Sequence, residues 1–583
     1  MTNETSATTQ PLSAPPSGPQ GETSRAFLPM LLLAVLGIVA VPTFVRMPLT
    51  NDAETYDLQA DIVRRGGVLY RDALEPNLPG VVWVHLAVRS AMGESSEALK
   101  IFDLLVFAGI LVLAARLVTL AGGSRRTAAW TVLGLAGFYL SQSEWNHCQR
   151  DVWMLFPALA AINWRVETRH RGRTLSPVSR FWCAVLEGAV WGCGVWLKPY
   201  LAVPAAAVWI ISQLMAWDWK SMFAEFAGLL CGGIAVGTAG IGWMLYSGCW
   251  PYFLDTALHW NREYFAAGRA HWTLDRFVPM ALRFFPWFGL HLFAVPLVIS
   301  TCFKALTNRE TDVSDGLRFR DSSRTPVVIA LVAAAYIGWL VQSFTFQHLF
   351  DYIHAPGLLL AILLLAAWSV AAAARPVVVR CAWLSLAAVA AFWSPCLQPA
   401  RLSQWSACVR GPVTPALRDR LSHFFNPKRQ DLARVAEFLE KQGVSGRDVC
   451  FFNSDFVGMY RQMGLLPPTR YTYFYETVRF LPSHHDDVLK ELSASPHRFV
   501  VTDVLTTGIT PDKMDRLGPD GPLEDAKAQP KSWTRGYPWI YPAVFRAGTY
   551  LVHRIDGPIN ALSLPITSPQ SGNSAVTVTK SEN

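Results

Sequence analysis

The sequence predicts a polytopic α-helical membrane protein with a small α/β domain after its last span. Three observations predict this class. Only 16% of the 583 residues are charged and 51% are hydrophobic, whereas soluble domains carry about 25% charged residues. The apolar residues fall in runs of about 16–22 with few or no charges, long enough to cross a bilayer. From about residue 396 those runs stop, and amphipathic helices alternate with short apolar strands. A soluble enzyme, a fibre and a disordered chain are excluded as whole-chain readings. The 23 Trp suit interfacial aromatic belts.

Residues 1–25 are rich in Ser, Thr, Pro, Gly and Gln and read as a disordered cytoplasmic tail. The first apolar run, about 27–45, reads as a retained anchor, since a small-residue cleavage signature is missing. Further runs follow at about 101–120, 128–142, 152–164, 181–197, 200–216, 222–246, 284–303, 326–344, 355–374 and 376–395. That makes about eleven spans within a transmembrane domain at 26–395. Pro157 and Pro204 lie inside spans and are candidate kinks.

With the N-terminus cytoplasmic, the inner loops collect Arg125, Arg126, Arg165, Arg169, Arg171, Arg173, Arg180, Lys220, Lys304, Arg309, Arg318, Arg320, Arg324, Arg375 and Arg380. The short outer loops hold little more than Arg150 and Lys198. This asymmetry sets the orientation. It puts the loops at 46–100 and 247–283, and an α/β domain at 396–560, outside. In that domain 429–442 repeats Leu432, Val435, Phe438 and Leu439 at helical spacing. Asp448–Phe452, Phe499–Thr502 and Tyr550–Ile555 read as strands, and 484–494 as a helix. Residues 561–583 read as a second disordered tail.

The net charge of +8 does not argue for a nucleic-acid partner, because the basic residues sit in short loops between apolar runs. The ten Cys form no CxxC pair and no zinc-like spacing, so no metal is expected. Cys396 and Cys408 are close enough in sequence for a disulfide on an oxidising side, and equally serve as free thiols.

The first outer loop carries the most chemistry. It reads Asn51-Asp-Ala-Glu-Thr-Tyr56, then Arg64-Arg-Gly-Gly67, Leu69-Tyr-Arg-Asp72 and Glu75-Pro-Asn-Leu-Pro79. Residues 53–65 can form a helix lying on the membrane surface with Asp52 as its N-cap. On spacing alone Asp52 is a helix cap, Glu54 and Asp57 a solvated face, and Arg71–Asp72 a weak surface pair.

This loop resembles the first outer loop of the type C glycosyltransferases. The resemblance is to the protein mannosyltransferase and aminoarabinose transferase branch, which uses polyprenyl-phosphate sugars. Asp52 takes the position of the family's catalytic Asp, and Tyr56, Gly67, Tyr70, Arg71, Asp72 and Pro79 match the following pattern. Ala53-Glu54 displaces the second acid of the pair, Thr55 stands where some members carry Arg, and Asn77-Leu78 where some carry Lys. A Lys198-Pro199 pair and the late polar-aromatic loop Gln347-His348…Asp351-Tyr352-Ile353-His354 extend the likeness.

The resemblance implies a GT-C fold and transfer of a monosaccharide from a polyprenyl-phosphate donor to a lipid, glycan or protein hydroxyl. Asp52 would be the general base, since a hydroxyl nucleophile must lose its proton in the transition state. Inversion follows by analogy with inverting glycosidases. Glu54, Tyr56 and Asp72 would support the acceptor side, and Arg71, Arg150, Lys198 and His348 would hold the donor phosphate. No cofactor and no metal is implied, and the expected location is a bacterial inner membrane. The aromatic loop at 247–283 reads as amphipathic helices in the interface, with covering of a substrate groove as its second reading. The rival class is a transporter or lipid-glycan flippase, which places ionisable groups at mid-membrane. Glu187 and Glu225 are the main acids that lie within spans.

Overall fold

The computed structural model describes residues 19–171, 175–215, 219–270, 273–301, 324–347, 350–371, 385–386, 388–390, 393–394, 397–423, 427–472, 474–504, 520–523, 537–557 and 559. The tail at 561–583, most of the tail at 1–25, much of the span expected at 376–395, and Cys396 and His348 lie outside the described residues.

The described residues of the expected spans are mostly helical, with a turn at 284–286 where the expected 284–303 span begins. In order run α1 (Pro19–Arg46), α2 (Asn51–Arg64), α3 (Gly80–Met92), α4 (Ser96–Leu120) and α5 (Arg125–Ser141). Then come α6 (Arg150–Trp153), α7 (Leu155–Arg171), α8 (Pro177–Leu197), α9 (Ala202–Met215) and α10 (Trp219–Tyr246). Helix α1 starts at Pro19, inside the segment expected to be disordered. Among the described residues five helices are long and apolar enough to cross a membrane: 26–46, α4, 221–246, 325–345 and 351–370. A sixth forms if the bent pair Leu274–Arg283 and Trp287–Thr301 counts as one span.

The other expected spans are helices that are shorter or carry charge. Helix α7 shows why. Its Arg165 pairs with Glu187 of α8 at 2.8 Å and Glu225 of α10 at 2.6 Å, and Arg169 joins Glu225 at 3.1 Å. The acids that suggested a mid-membrane pathway therefore sit in a buried ion-pair cluster, the usual condition for charge in an apolar bundle. Helices α8 and α10 pack with their backbones almost touching. A Cβ on Gly188 would lie 2.1 Å from the Leu229 carbonyl oxygen, and one on Gly232 2.0 Å from that of Val185. Small residues spaced four apart, Gly188/Gly192 and Gly228/Gly232, are what such packing requires.

Past the bundle lies a five-stranded sheet of order β1-β2-β5-β4-β3, made of β1 (Val449–Phe451), β2 (Phe499–Asp503), β3 (Gly521–Pro522), β4 (Ala543–Ala547) and β5 (Tyr550–Arg554). β1 and β2 are parallel and the other pairs antiparallel. The Arg429–Lys441 helix lays Leu432, Val435 and Leu439 onto this sheet. Strands β3 and β4 were not expected.

Helix α2 is wedged between bundle and sheet. Its Ala53, Tyr56 and Ala60 pack with Leu99 and Trp153, while Leu58 and Ile62 pack with Val449 and Phe451. It does not lie open on a membrane surface as its polar composition suggests. Its N-cap is Thr50, whose side chain accepts from the Ala53 amide, and not Asp52. Asp52 falls in the first turn, free of capping duty.

Candidate active site

Four of the predicted residues converge at the N-terminal end of α2. The Asp52 side chain is half-buried. Burial raises its carboxyl pKa, while the nearby Arg150 charge and the Tyr352 hydroxyl facing it favour the ionised form. One turn on, Tyr56 is buried, and the Arg150 guanidinium sits 5.5 Å above its ring centroid. That geometry suits a cation–π contact.

Arg150 opens α6 after a short turn in which Cys148 takes a positive φ of 56°. The residue is 8% exposed. Its guanidinium makes no ion pair among the described residues, and Nη1 has no hydrogen-bond partner. The carboxylates of Asp151 and Glu75 lie near enough to favour this buried charge, and an anionic ligand would favour it further. Lys198 caps the C-terminus of α8, and its ammonium donates to Asp151 Oδ1 at 2.8 Å. Burial pushes the Lys198 pKa down to about 8 against the pull of Asp151.

Other members of the cluster were missed as site residues. Asp151 is fully buried, and its Oδ2 has no hydrogen-bond partner among the described residues. Glu75 is buried, accepts from Gln59 Nε2 at 2.8 Å and the Asn77 amide at 2.9 Å, and adds negative potential at Asp52 and Arg150. Tyr352 comes from the late polar-aromatic loop, and Tyr264 from the aromatic stretch after α10. Signals existed: Asp151 adjoins Arg150, and Tyr352 sits in the loop flagged for His348. The aromatic stretch also covers the first loop. Asn261 donates to the Pro76 carbonyl at 3.0 Å, and Trp260 stacks on His484 at 3.7 Å.

The remaining predicted residues go elsewhere. Glu54 points away from Asp52, toward Arg429 Nη2 at 3.3 Å. Asp72 accepts from the Val68 amide at 2.7 Å and pairs with Arg71 at 2.7 Å, so both serve the fold of the loop. Arg71 is 47% exposed and does not reach the Asp52 cluster. Tyr70, at a φ of 67°, buries its ring in the same turn and donates to the Asn77 carbonyl at 2.8 Å. Asp57, expected on a solvated face, is 1% exposed. It accepts from His85 Nδ1 at 2.7 Å, Arg89 Nε at 2.8 Å and Arg461 Nη1 at 2.9 Å. No metal-ligand cluster occurs among the described residues. Cys408 is a buried free thiol beside Met47 and Leu417.

Fold and cluster together define a polytopic helical protein with a buried cationic and acidic centre between its bundle and its sheet. The chain matches no family model and no curated protein sequence. Among solved structures it is similar to ArnT from Cupriavidus metallidurans bound to undecaprenyl phosphate. The TM-score is 0.50 at 14% identity, covering 91% of this chain and 98% of that one. The apo structure of the same protein gives a TM-score of 0.46 at 14% identity, with the same coverage. The fold is thus the GT-C architecture of ArnT.

Proposed function

We propose that the protein is an integral membrane glycosyltransferase that moves a monosaccharide from a polyprenyl-phosphate donor to a hydroxyl acceptor, with inversion. The carrying observation is the buried Arg150 guanidinium, which lies beside Asp52 and Lys198 and makes no ion pair among the described residues. The likeness to a fold whose crystal structure holds undecaprenyl phosphate supports the same ligand class here.

In this reading the acceptor oxygen attacks the anomeric carbon as the bond from that carbon to the phosphate oxygen breaks. The phosphate leaves with the electron pair, and the acceptor proton goes to Asp52. A carboxyl whose pKa burial has raised is a stronger base than an exposed one. Arg150 and Lys198 meet the charge that grows on the departing phosphate. The Tyr56 ring steadies the guanidinium from below. Tyr352 orients the Asp52 carboxylate, and Asp151 holds the Lys198 ammonium in place.

The acceptor is a lipid, glycan or protein. The site faces the outer side of a bacterial inner membrane, with residues 26–395 as the transmembrane part and 396–560 as the extracytoplasmic one. Purified protein given a polyprenyl-phosphate sugar and candidate acceptors tests the reading. Transfer by wild type and its loss in Asp52→Asn are expected. Equal transfer by both removes Asp52 as the base, and transmembrane flux of a lipid-linked glycan without transfer favours the flippase.

A further inference from the structure

A polar cavity of about 580 Å³ lies on the side of α2 away from Asp52. At 100° per residue, Glu54 is about 200° around the helix from Asp52, and it lines this cavity together with Asp61. The size is that of a small-molecule site. The other walls come from the sheet side and from the ends of two span candidates. Leu49 follows α1 and Ser96 opens α4, so the cavity sits where those helices leave the apolar layer.

Its lining is rich in guanidinium. Arg64, Arg65, Arg418, Arg429 and Arg461 face three carboxylates. Arg65 takes Asp61 at 2.7 Å, Arg461 takes Glu94 at 2.6 Å and, beyond the lining, Asp57 at 2.9 Å, Arg64 shares Glu94, and Arg429 takes Glu54 at 3.3 Å. Behind the wall, Glu97 meets one edge of Arg418 at 3.4 Å. Among the described residues two buried donors of these guanidiniums, Arg418 Nε and Arg429 Nη1, have no hydrogen-bond partner. The N-termini of α4 and of the Arg429–Lys441 helix also end at this wall and add positive potential.

We infer that this cavity binds a phosphate ester, separately from the donor site on the Asp52 face. Guanidinium forks fit phosphate oxygens in a bidentate way that a single carboxylate does not exhaust. The source is the headgroup of an anionic membrane lipid or a soluble phosphate compound, and the same chemistry recognises both.

The test is the thermal midpoint of the full-length protein, with two probes. One is phosphatidylglycerol added to phosphatidylcholine nanodiscs, and the other is inorganic phosphate in detergent. Saturable stabilisation is expected, because a ligand bound only by the folded state raises the midpoint. The Arg418→Gln/Arg429→Gln variant should weaken binding by about tenfold or more, each lost charge-assisted bond contributing. Since Arg429 also pairs with Glu54, Ser96→Asp provides a second variant. Ser96 already accepts from Arg418 Nη2 at 3.0 Å. A carboxylate there suits the first turn of α4 and competes with phosphate for the same guanidinium. A response to the lipid alone supports the headgroup, and a response to phosphate alone supports the soluble source. No response to either probe, or an unchanged response in both variants, overturns the inference. The readout is binding, so a failure of sugar transfer leaves it standing.

Discussion

Replacing Asp57 by Asn should destabilise the protein more than any other single loss of charge in the first loop. The Asp57 carboxylate is buried and joined to His85 and Arg89 of α3 and to Arg461 beyond the bundle. Burial alone would raise its pKa. The His85 and Arg89 contacts outweigh that and hold it well below the usual carboxylate range. Asn keeps the volume but removes the charge. It strands Arg89, which is 3% exposed, without its counter-ion. Breaking one side of a buried pair costs about 3–5 kcal/mol. Glu94→Gln is the contrast. Glu94 meets Arg64 and Arg461, but its side chain is 51% exposed, and such pairs are worth about 0–1 kcal/mol. The assay is the thermal midpoint of each purified variant in detergent at several pH values. Because the folded-state pKa of Asp57 is depressed, its contribution is complete above the unfolded-state value, about 3.9, and fades as pH falls through the folded-state value. The gap between wild type and Asp57→Asn should therefore be widest near neutrality and close in acid. Equal losses in the two variants, or a gap that widens in acid, would refute the argument.

Three further outcomes are expected. Asp52→Asn should lower kcat by about 10²- to 10⁴-fold, the usual worth of a general base, with little change in donor KM. In wild type, turnover should rise with pH as Asp52 ionises above the ordinary carboxylate range, and donor affinity should fall as pH passes about 8 and Lys198 loses its proton. Lys198→Arg should move that alkaline limb upward, and a limb that stays put in this variant excludes Lys198 as its source. Gly232→Val should drive its Cβ into the Val185 carbonyl oxygen and part α8 from α10; overpacking of this kind costs about 1–3 kcal/mol, read as a lower midpoint.

The helical parts were legible where one element carries its own pattern. The expected 429–442 helix is Arg429–Lys441, and the first-loop helix expected at 53–65 runs Asn51–Arg64. Its cap was misplaced because Thr50-Asn51-Asp52 offers three residues of capping type in a row, and only the path of the incoming chain selects Thr50. Strand β4 was missed because Ala543 and Ala547, at its buried ends, give little strand signal, although its exposure alternates along its length. Pairing across the fold was not legible at all. Arg165 meets Glu187 and Glu225, and Lys198 meets Asp151, from separate helices. Local spacing shows a charge but not its partner.

The same limit hid the role of Asp57. Polar residues on both faces of a helix imply solvent only when nothing covers them, and here each face of α2 has a cover. One face carries Asp52 and Tyr56 toward Arg150. The other holds the sheet side through Glu54 to Arg429, Asp57 to Arg461, and Arg65 to the Gly464 carbonyl. The helix that bears the proposed base therefore also fastens the sheet side to the bundle. A shift of the sheet side against the bundle strains these ion pairs and bears on the position of Asp52 through one rigid element. This is why a charge five residues from the proposed base, with no part in its chemistry, belongs among the determinants of the site.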